Sequence, residues 1–225
     1  MVRTLLATGV LAVCVLFLAG CGVPPASGNE ATLSYDPDQK IEADAYQFSA
    51  RVWRDGKPTT FRLELYVADT VIGVSGYGYL GKGALKARVI RDSLEAYFPT
   101  TKEYQFEPLD DLISSGDCPM TGSELDLQQL LRDLPDSLGY ADLKVVLTDS
   151  ADDRRDYSVS DDRCGWLLDL TYRLEDSGWR ISYFEFTDGD EFRLRGDRQR
   201  YRDAARVKIG RFLVPSPDPA VSVTP

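Results

Sequence analysis

The chain has 225 residues, 43% of them hydrophobic, with 36 acidic side chains against 26 basic ones and no histidine. A formal net charge of −10 makes a surface poorly suited to nucleic acid, whose phosphates require a basic footprint. Without imidazole there is no Ser-His-Asp or Cys-His catalysis, and most zinc and non-haem iron catalytic sites are excluded.

Reading from the N-terminus, Arg3 precedes an almost wholly apolar run over residues 5–18. That run is short for a membrane span and right for the core of a signal peptide. It leads into Leu18-Ala19-Gly20-Cys21, which resembles the bacterial lipobox, cut before its cysteine. The resemblance implies that Cys21 becomes the mature N-terminus and carries a thioether-linked diacylglycerol; two or more acyl chains anchor stably where one binds reversibly. An ordinary secretory signal with a chance cysteine is the alternative. Residues 1–20 are therefore read as signal, and residues 21–34, containing GVPPASGNEAT, as lipidated N-terminus and flexible tether. Residues 35–214 are read as one domain and the proline-rich residues 215–225 as a disordered tail. The remainder after cleavage has about 205 residues, enough for a sizeable core, and without Arg3 keeps 25 basic against 36 acidic groups. Lipid rather than charge must then hold it at a membrane.

Cys14 falls in the signal and Cys21 in the lipobox, leaving Cys118 and Cys164 as a pair. Outside the cytoplasm such a pair most simply forms a disulfide, worth about 4 kcal/mol on the chain-entropy model. Free thiols or a two-ligand metal site are the alternatives, and no metal or other cofactor is expected.

The folded segment reads mainly as strands. Tyr46, Phe48, Ala50 and Val52 alternate with polar residues, Asp55-Gly56-Lys57-Pro58 turns, and Phe61, Leu63, Leu65 and Val67 return. A third apolar segment, residues 71–75, runs into GYGYLGKG, and Leu85, Ala87 and Val89 then alternate again. Leu94, Ala96 and Phe98 follow a turn at Arg91-Asp92. In the second half Trp166, Leu168, Leu170 and Tyr172 alternate, residues 175–178 turn, and Trp179, Ile181 and Tyr183 return. Residues 187–190 turn once more into Phe192 and Leu194, and a last strand is expected over 205–214. One helix interrupts the strands. Thr121 and Glu124 make a capping box, Leu127, Leu130, Leu131 and Leu134 form one stripe, and Pro135 stops it. A shorter helical turn is expected over residues 108–114.

GYGYLGKG spells G-x-G-x-x-G, the spacing of a dinucleotide-binding loop, but that chemistry needs a helix directly after the glycines. Residues 84–91 alternate with period two, so the stretch is a glycine-rich connection between antiparallel strands. Together with YFPTTKEYQFEPLDDLISS it resembles the lipoprotein-localisation superfamily of LolA and LolB. The resemblance covers most of residues 46–214 in the order of elements. It implies an α+β, mainly antiparallel fold: a curved half-barrel sheet with inserted helices over an apolar concave face that holds acyl chains.

On that reading Phe48, Val52, Phe61, Leu63, Leu65, Leu94, Phe98, Leu168, Leu170 and Tyr183 line a hydrophobic cavity beneath the Leu127 to Leu134 helix. Alternation alone is equally compatible with a solid core. Tyr77, Tyr79 and Leu80 form either an apolar tip that meets a membrane or lipid, or a loop folded back on the sheet. Between Arg193 and Arg211 seven arginines and Lys208 face only Asp197 and Asp203. They form either a phosphate or acidic-partner site or a solvated strand face paired with carboxylates. Residues 152–156 read as an exposed loop. Paired carboxylates leave glycosidase-like chemistry open, but nothing selects a pair. The expectation is a non-catalytic, lipid-anchored protein of the periplasmic face of the outer membrane, with Gly22 after the cysteine resembling outer-membrane sorting signals. Its partners would be the membrane and a lipid or lipoprotein ligand. The alternative is a structural lipoprotein with a solid core that docks on an envelope protein.

Overall fold

The computed structural model describes residues 40–54, 56–90, 93–108, 127–137, 143–161, 165–188 and 192–209. Eleven strands form one sheet: β1 (Ile41–Arg54), β2 (Lys57–Val67), β3 (Ile72–Tyr77), β4 (Gly83–Ile90), β5 (Ser93–Phe98), β6 (Glu103–Pro108), β7 (Lys144–Ser150), β8 (Arg154–Asp161), β9 (Trp166–Glu175), β10 (Gly178–Asp188) and β11 (Phe192–Val207). Their spatial order is β6-β5-β4-β3-β2-β1-β11-β10-β9-β8-β7, and every pair is antiparallel. The chain winds outward from the centre to β6, crosses to the far edge and winds back until β11 pairs with β1. β6 and β7 are the two open edges.

Among the described residues the one α-helix, α1 (Leu127–Arg132), lies on the connection that joins those edges. It ends before Pro135, which opens a short 3-10 turn, Pro135–Ser137. The capping-box residues Thr121 and Glu124 and all of the turn expected over 108–114 except Pro108, which ends β6, lie outside the described residues, as do Cys21, Cys118 and Cys164.

The period-two pattern places the apolar residues of β1 to β5 and β8 to β11 on one face. Cross-strand partners such as Phe48 and Leu63, Ala50 and Phe61, and Val74 and Ala87 meet there. Buried residues from β1 to β5 and from β8 to β11 merge with Leu130 and Leu143 into one cluster. A second, smaller cluster of Ala43, Ala68, Val71 and Ile209 packs separately. Ile209 lies so close over Gly73 that a Cβ there would sit 3.0 Å from its side chain.

Three sequence expectations change. β6, β7 and β8 were not foreseen, and the expected loop at residues 152–156 is in fact a turn over 151–153 followed by the start of β8. β11 is one continuous 16-residue strand rather than two. Its register against β1 shifts between Ala43 and Ala45 and again between Gln47 and Phe48. Each bulge adds residues on β11 and resets the alternation, so the arginine-rich middle looks irregular in sequence.

Candidate functional site: the apolar face and its helix

Of the residues expected to line a cavity, Phe48, Val52, Phe61, Leu63, Leu65, Leu94, Phe98, Leu168 and Leu170 all belong to the apolar cluster of the sheet. Tyr183 does not. The β9–β10 register shifts between Ile181 and Tyr183, so Phe184 and Phe186, opposite Leu170 and Leu168, take the apolar positions. Tyr183 pairs with Asp197 and Thr171 on the polar face, where its hydroxyl donates to Glu185 Oε2 at 2.5 Å. Burial, then the hydrogen bond to Glu185, pushes the Tyr183 phenol well above its ordinary value. A single extra residue, Ser182, thus reverses the phase of the strand.

The apolar face is tightly built at its centre. Phe184 lies over Gly196, where an added Cβ would fall 2.4 Å from its ring, and packs edge-on against Phe48 with centroids 5.3 Å apart. Only glycine allows that approach. Phe48 and Ala50 are fully buried and Val52 is 1% exposed. Farther along, Leu65 and its cross-strand partner Val74 are only half-buried, as are Leu131 and Leu134.

α1 is held on this face by polar groups of the sheet. The last carbonyls of a helix lack intrahelical donors. Here Tyr172 donates to the Leu130 carbonyl at 2.7 Å, Tyr46 to that of Leu131 at 2.9 Å, and Arg180 Nη1 to that of Arg132 at 3.1 Å. At the other end Gln128 donates to the Ala68 carbonyl. Leu130 is buried beneath the helix.

Asp44 is the anchor of this cluster. Buried on β1, it accepts from Arg132 Nε at 3.2 Å and from the Tyr201 hydroxyl at 3.1 Å, with Arg180 Nε 3.7 Å away. Arg132 also donates to Asp69 and to the Val67 carbonyl, both at 2.8 Å. Burial works against the charge of Arg132 and Arg180, but hydrogen bonds to Asp69 and Tyr201 and the field of Asp44 outweigh it, raising both pKa values. Burial, then the charge of Asp44, pushes the Tyr46 phenol far above its ordinary range and keeps it a neutral donor. Beside this cluster Arg198 pairs with Glu175 and donates to the Ile181 carbonyl.

None of Asp44, Tyr46 (as a donor), Tyr172 (as a donor), Arg132, Arg180 or Tyr201 was singled out from sequence as holding the helix. The available signal was weak: one carboxylate at the start of an alternating strand, in a chain with 36 of them. What selects Asp44 is the bulge opposite it, which includes Ala204 at φ 44, a conformation rare outside glycine.

The glycine stretch is the expected connection: β3 and β4 pair antiparallel around a 3-10 turn, Tyr79–Gly81, with Gly81 at φ 71. No helix follows the glycines, so the dinucleotide reading fails on structure as it did on sequence. Leu80 projects from this turn, 78% exposed and at φ 61. Tyr77 instead stays half-buried beneath the Arg62 guanidinium, 4.3 Å from its ring centre. The Tyr79 side chain and that of Leu127 lie outside the described residues.

No family model matches the chain, and no curated protein matches it in sequence. Among solved structures it is similar to a DUF1329 family protein from Desulfovibrio piger, with 11% identity, 74% of this chain and 87% of that one covered, and a TM-score of 0.40. It is also similar to a LolA superfamily protein from Nitrosomonas europaea, with 10% identity, 76% and 88% covered, and a TM-score of 0.35.

Proposed function

We propose that this chain is a non-catalytic, lipid-anchored envelope protein that holds a hydrophobic ligand on the apolar face of its sheet. The observation that carries the reading is a local one. Leu65, Val74, Leu131 and Leu134 stay half-buried against the apolar cluster, while Leu63, Ile72 and Leu130 are buried. An acyl chain entering there would gain about 0.8 kcal/mol for each methylene taken from water, with no polar code needed. On this reading α1, held to the sheet by Tyr46, Tyr172 and Arg180, is a displaceable cover of a half-barrel. Cys21 supplies the membrane anchor through its acyl chains, and Gly22 directs the protein to the outer membrane. Leu80, exposed at the end of the β3–β4 connection, meets the membrane or the incoming lipid.

A second reading has its own support. Phe48, Ala50, Val52 and Ala96 are buried to 1% exposure or less, as in a docking module with a solid core that binds an envelope protein through its surface.

The test uses the chain from residue 21 with Cys21→Ser, which keeps all the paired strands. Solvent extraction and mass spectrometry of the purified protein should find near-stoichiometric lipid. Leu65→Arg should abolish it while circular dichroism stays unchanged. Absence of lipid, together with no uptake of a fluorescent fatty acid, overturns the carrier reading in favour of the docking module.

A further inference from the structure

The polar face of the sheet concentrates arginine where the chain as a whole is acidic. On β2, β1 and β11, between the rung of Pro58, Trp53 and Arg193 and the rung of Tyr66, Ala45 and Arg202, six arginines point outward. They are Arg51, Arg62, Arg193, Arg195, Arg200 and Arg202. The same rungs of those strands carry two carboxylates, Glu64 and Asp197, and Glu185 reaches Arg193 from β10 at 2.7 Å. Among the described residues of this patch the surplus is three positive charges, in a chain of net charge −10.

Two features set this patch apart from an ordinary solvated strand face. Arg51 and Arg195 stand directly opposite one another on β1 and β11, and like charges facing across a strand pair destabilise a sheet. Arg200 and Arg202 are exposed and have no carboxylate within ion-pair distance among the described residues. Among the described residues, the fold therefore carries charge here that carboxylates do not neutralise. Trp53 lies between two of the guanidinium groups, 4.8 Å from Arg193 and 5.6 Å from Arg51, offering an amphipathic ring at the same surface.

We propose that this face docks on an anionic phospholipid surface, the arginines engaging headgroup phosphates. Guanidinium forks match phosphate oxygens in pairs and are weakly hydrated for cations. The patch is three strands wide and five rungs long, about 10 Å by 27 Å from strand spacing and rise. That exceeds the screening length of about 8 Å at physiological ionic strength, so the patch acts as a local positive field despite the negative total. The net negative charge then orients the molecule, because other approaches to an anionic surface are repelled. Reach is sufficient: the 19 residues between Cys21 and Ile41 extend to at most about 70 Å. A membrane is favoured over an acidic protein because the chain's expected anchor already puts it at a bilayer. The inference rests on that anchor reading for delivery to the membrane, and not on the ligand reading of the apolar face.

The test measures co-sedimentation of the Cys21→Ser chain from residue 21 with vesicles, either phosphatidylcholine alone or mixed with phosphatidylglycerol. Binding should require phosphatidylglycerol and be lost at high salt. Each arginine near such a surface is worth about fivefold in affinity, so the double variant R200E/R202E should bind at least about 25-fold more weakly. R173E, on β9 with its carboxylate partner Asp153, should bind as the parent does. Leu65→Arg, which tests the ligand reading, should leave vesicle binding unchanged, so failure of either idea is seen separately. Equal binding to both vesicle types, or equal loss in R173E, overturns the proposal. Retention on immobilised polyglutamate without vesicle binding also overturns it and assigns the face to an acidic protein.

Discussion

Glu185 shows how a single group on the polar face couples pH to stability. Its carboxylate is partly buried, which by itself raises its pKa, but hydrogen bonds from Arg193 and Tyr183 more than reverse this and leave it lowered from 4.5. A carboxyl with a depressed folded pKa contributes stability that is complete above its unfolded pKa and is lost as pH falls through the folded one. The contribution should therefore be present at neutral pH and fade below about pH 4.5. Thermal melts from pH 7 to pH 3 should show Glu185→Gln losing stability at neutral pH and converging on the parent under acid conditions. A constant offset across that range would remove Glu185 as the titrating group. Tyr183 was read from sequence as a wall of the apolar face because Trp179, Ile181 and Tyr183 alternate. The bulge at Ser182 could not be seen there: it is a property of pairing with β9, not of the residues themselves.

At the level of the element, the β10–β11 hairpin depends on close approach. Gly196 has no side chain, and the Phe184 ring fills the space that a Cβ would need. Gly196→Ala should force the ring aside, and overpacking of this kind costs about 1–3 kcal/mol. Urea unfolding should register it as a lower midpoint with an unchanged slope; no shift would mean that Phe184 relocates freely. β11 as a whole was legible only at its ends. Leu194 and Ala205 lie on opposite sides of two bulges, and between them charged residues fill the exposed positions, so period-two reading loses phase. β7 was missed for a related reason: as an edge strand it is largely exposed and shows little alternation. The strong central hairpin of β1 and β2 was plain, because Tyr46, Phe48, Ala50 and Val52 are buried in alternation, and Phe48 and Ala50 face the buried Leu63 and Phe61.

Across the whole molecule, one connection crosses from edge strand β6 to edge strand β7, and it carries α1 onto the apolar face. The sheet offers a Tyr or Arg donor to each of three successive carbonyls, from Leu130 to Arg132. If α1 covers a ligand, then Leu80 and α1 should separate capture from retention. Leu80→Glu should leave the lipid content of the purified protein unchanged while slowing fluorescent-lipid exchange with vesicles. Reduced lipid content would instead place Leu80 among the groups that retain the ligand. The polar and apolar faces thus divide the work: one is proposed to meet the bilayer surface, the other to shelter acyl chains.

Period-two alternation, turn chemistry and the leucine stripe were enough to establish from sequence a mainly antiparallel fold with one helix between its halves. These signals are local, so neighbouring residues state them fully. Tertiary structure alone decided the pairing of β1 with β11, the bulges that turned Tyr183 outward, the choice of Asp44 among many carboxylates, and the gathering of six arginines on three adjacent strands. Each of these depends on register between segments up to 166 residues apart (Ile41 and Val207), and register is a property of the paired sheet.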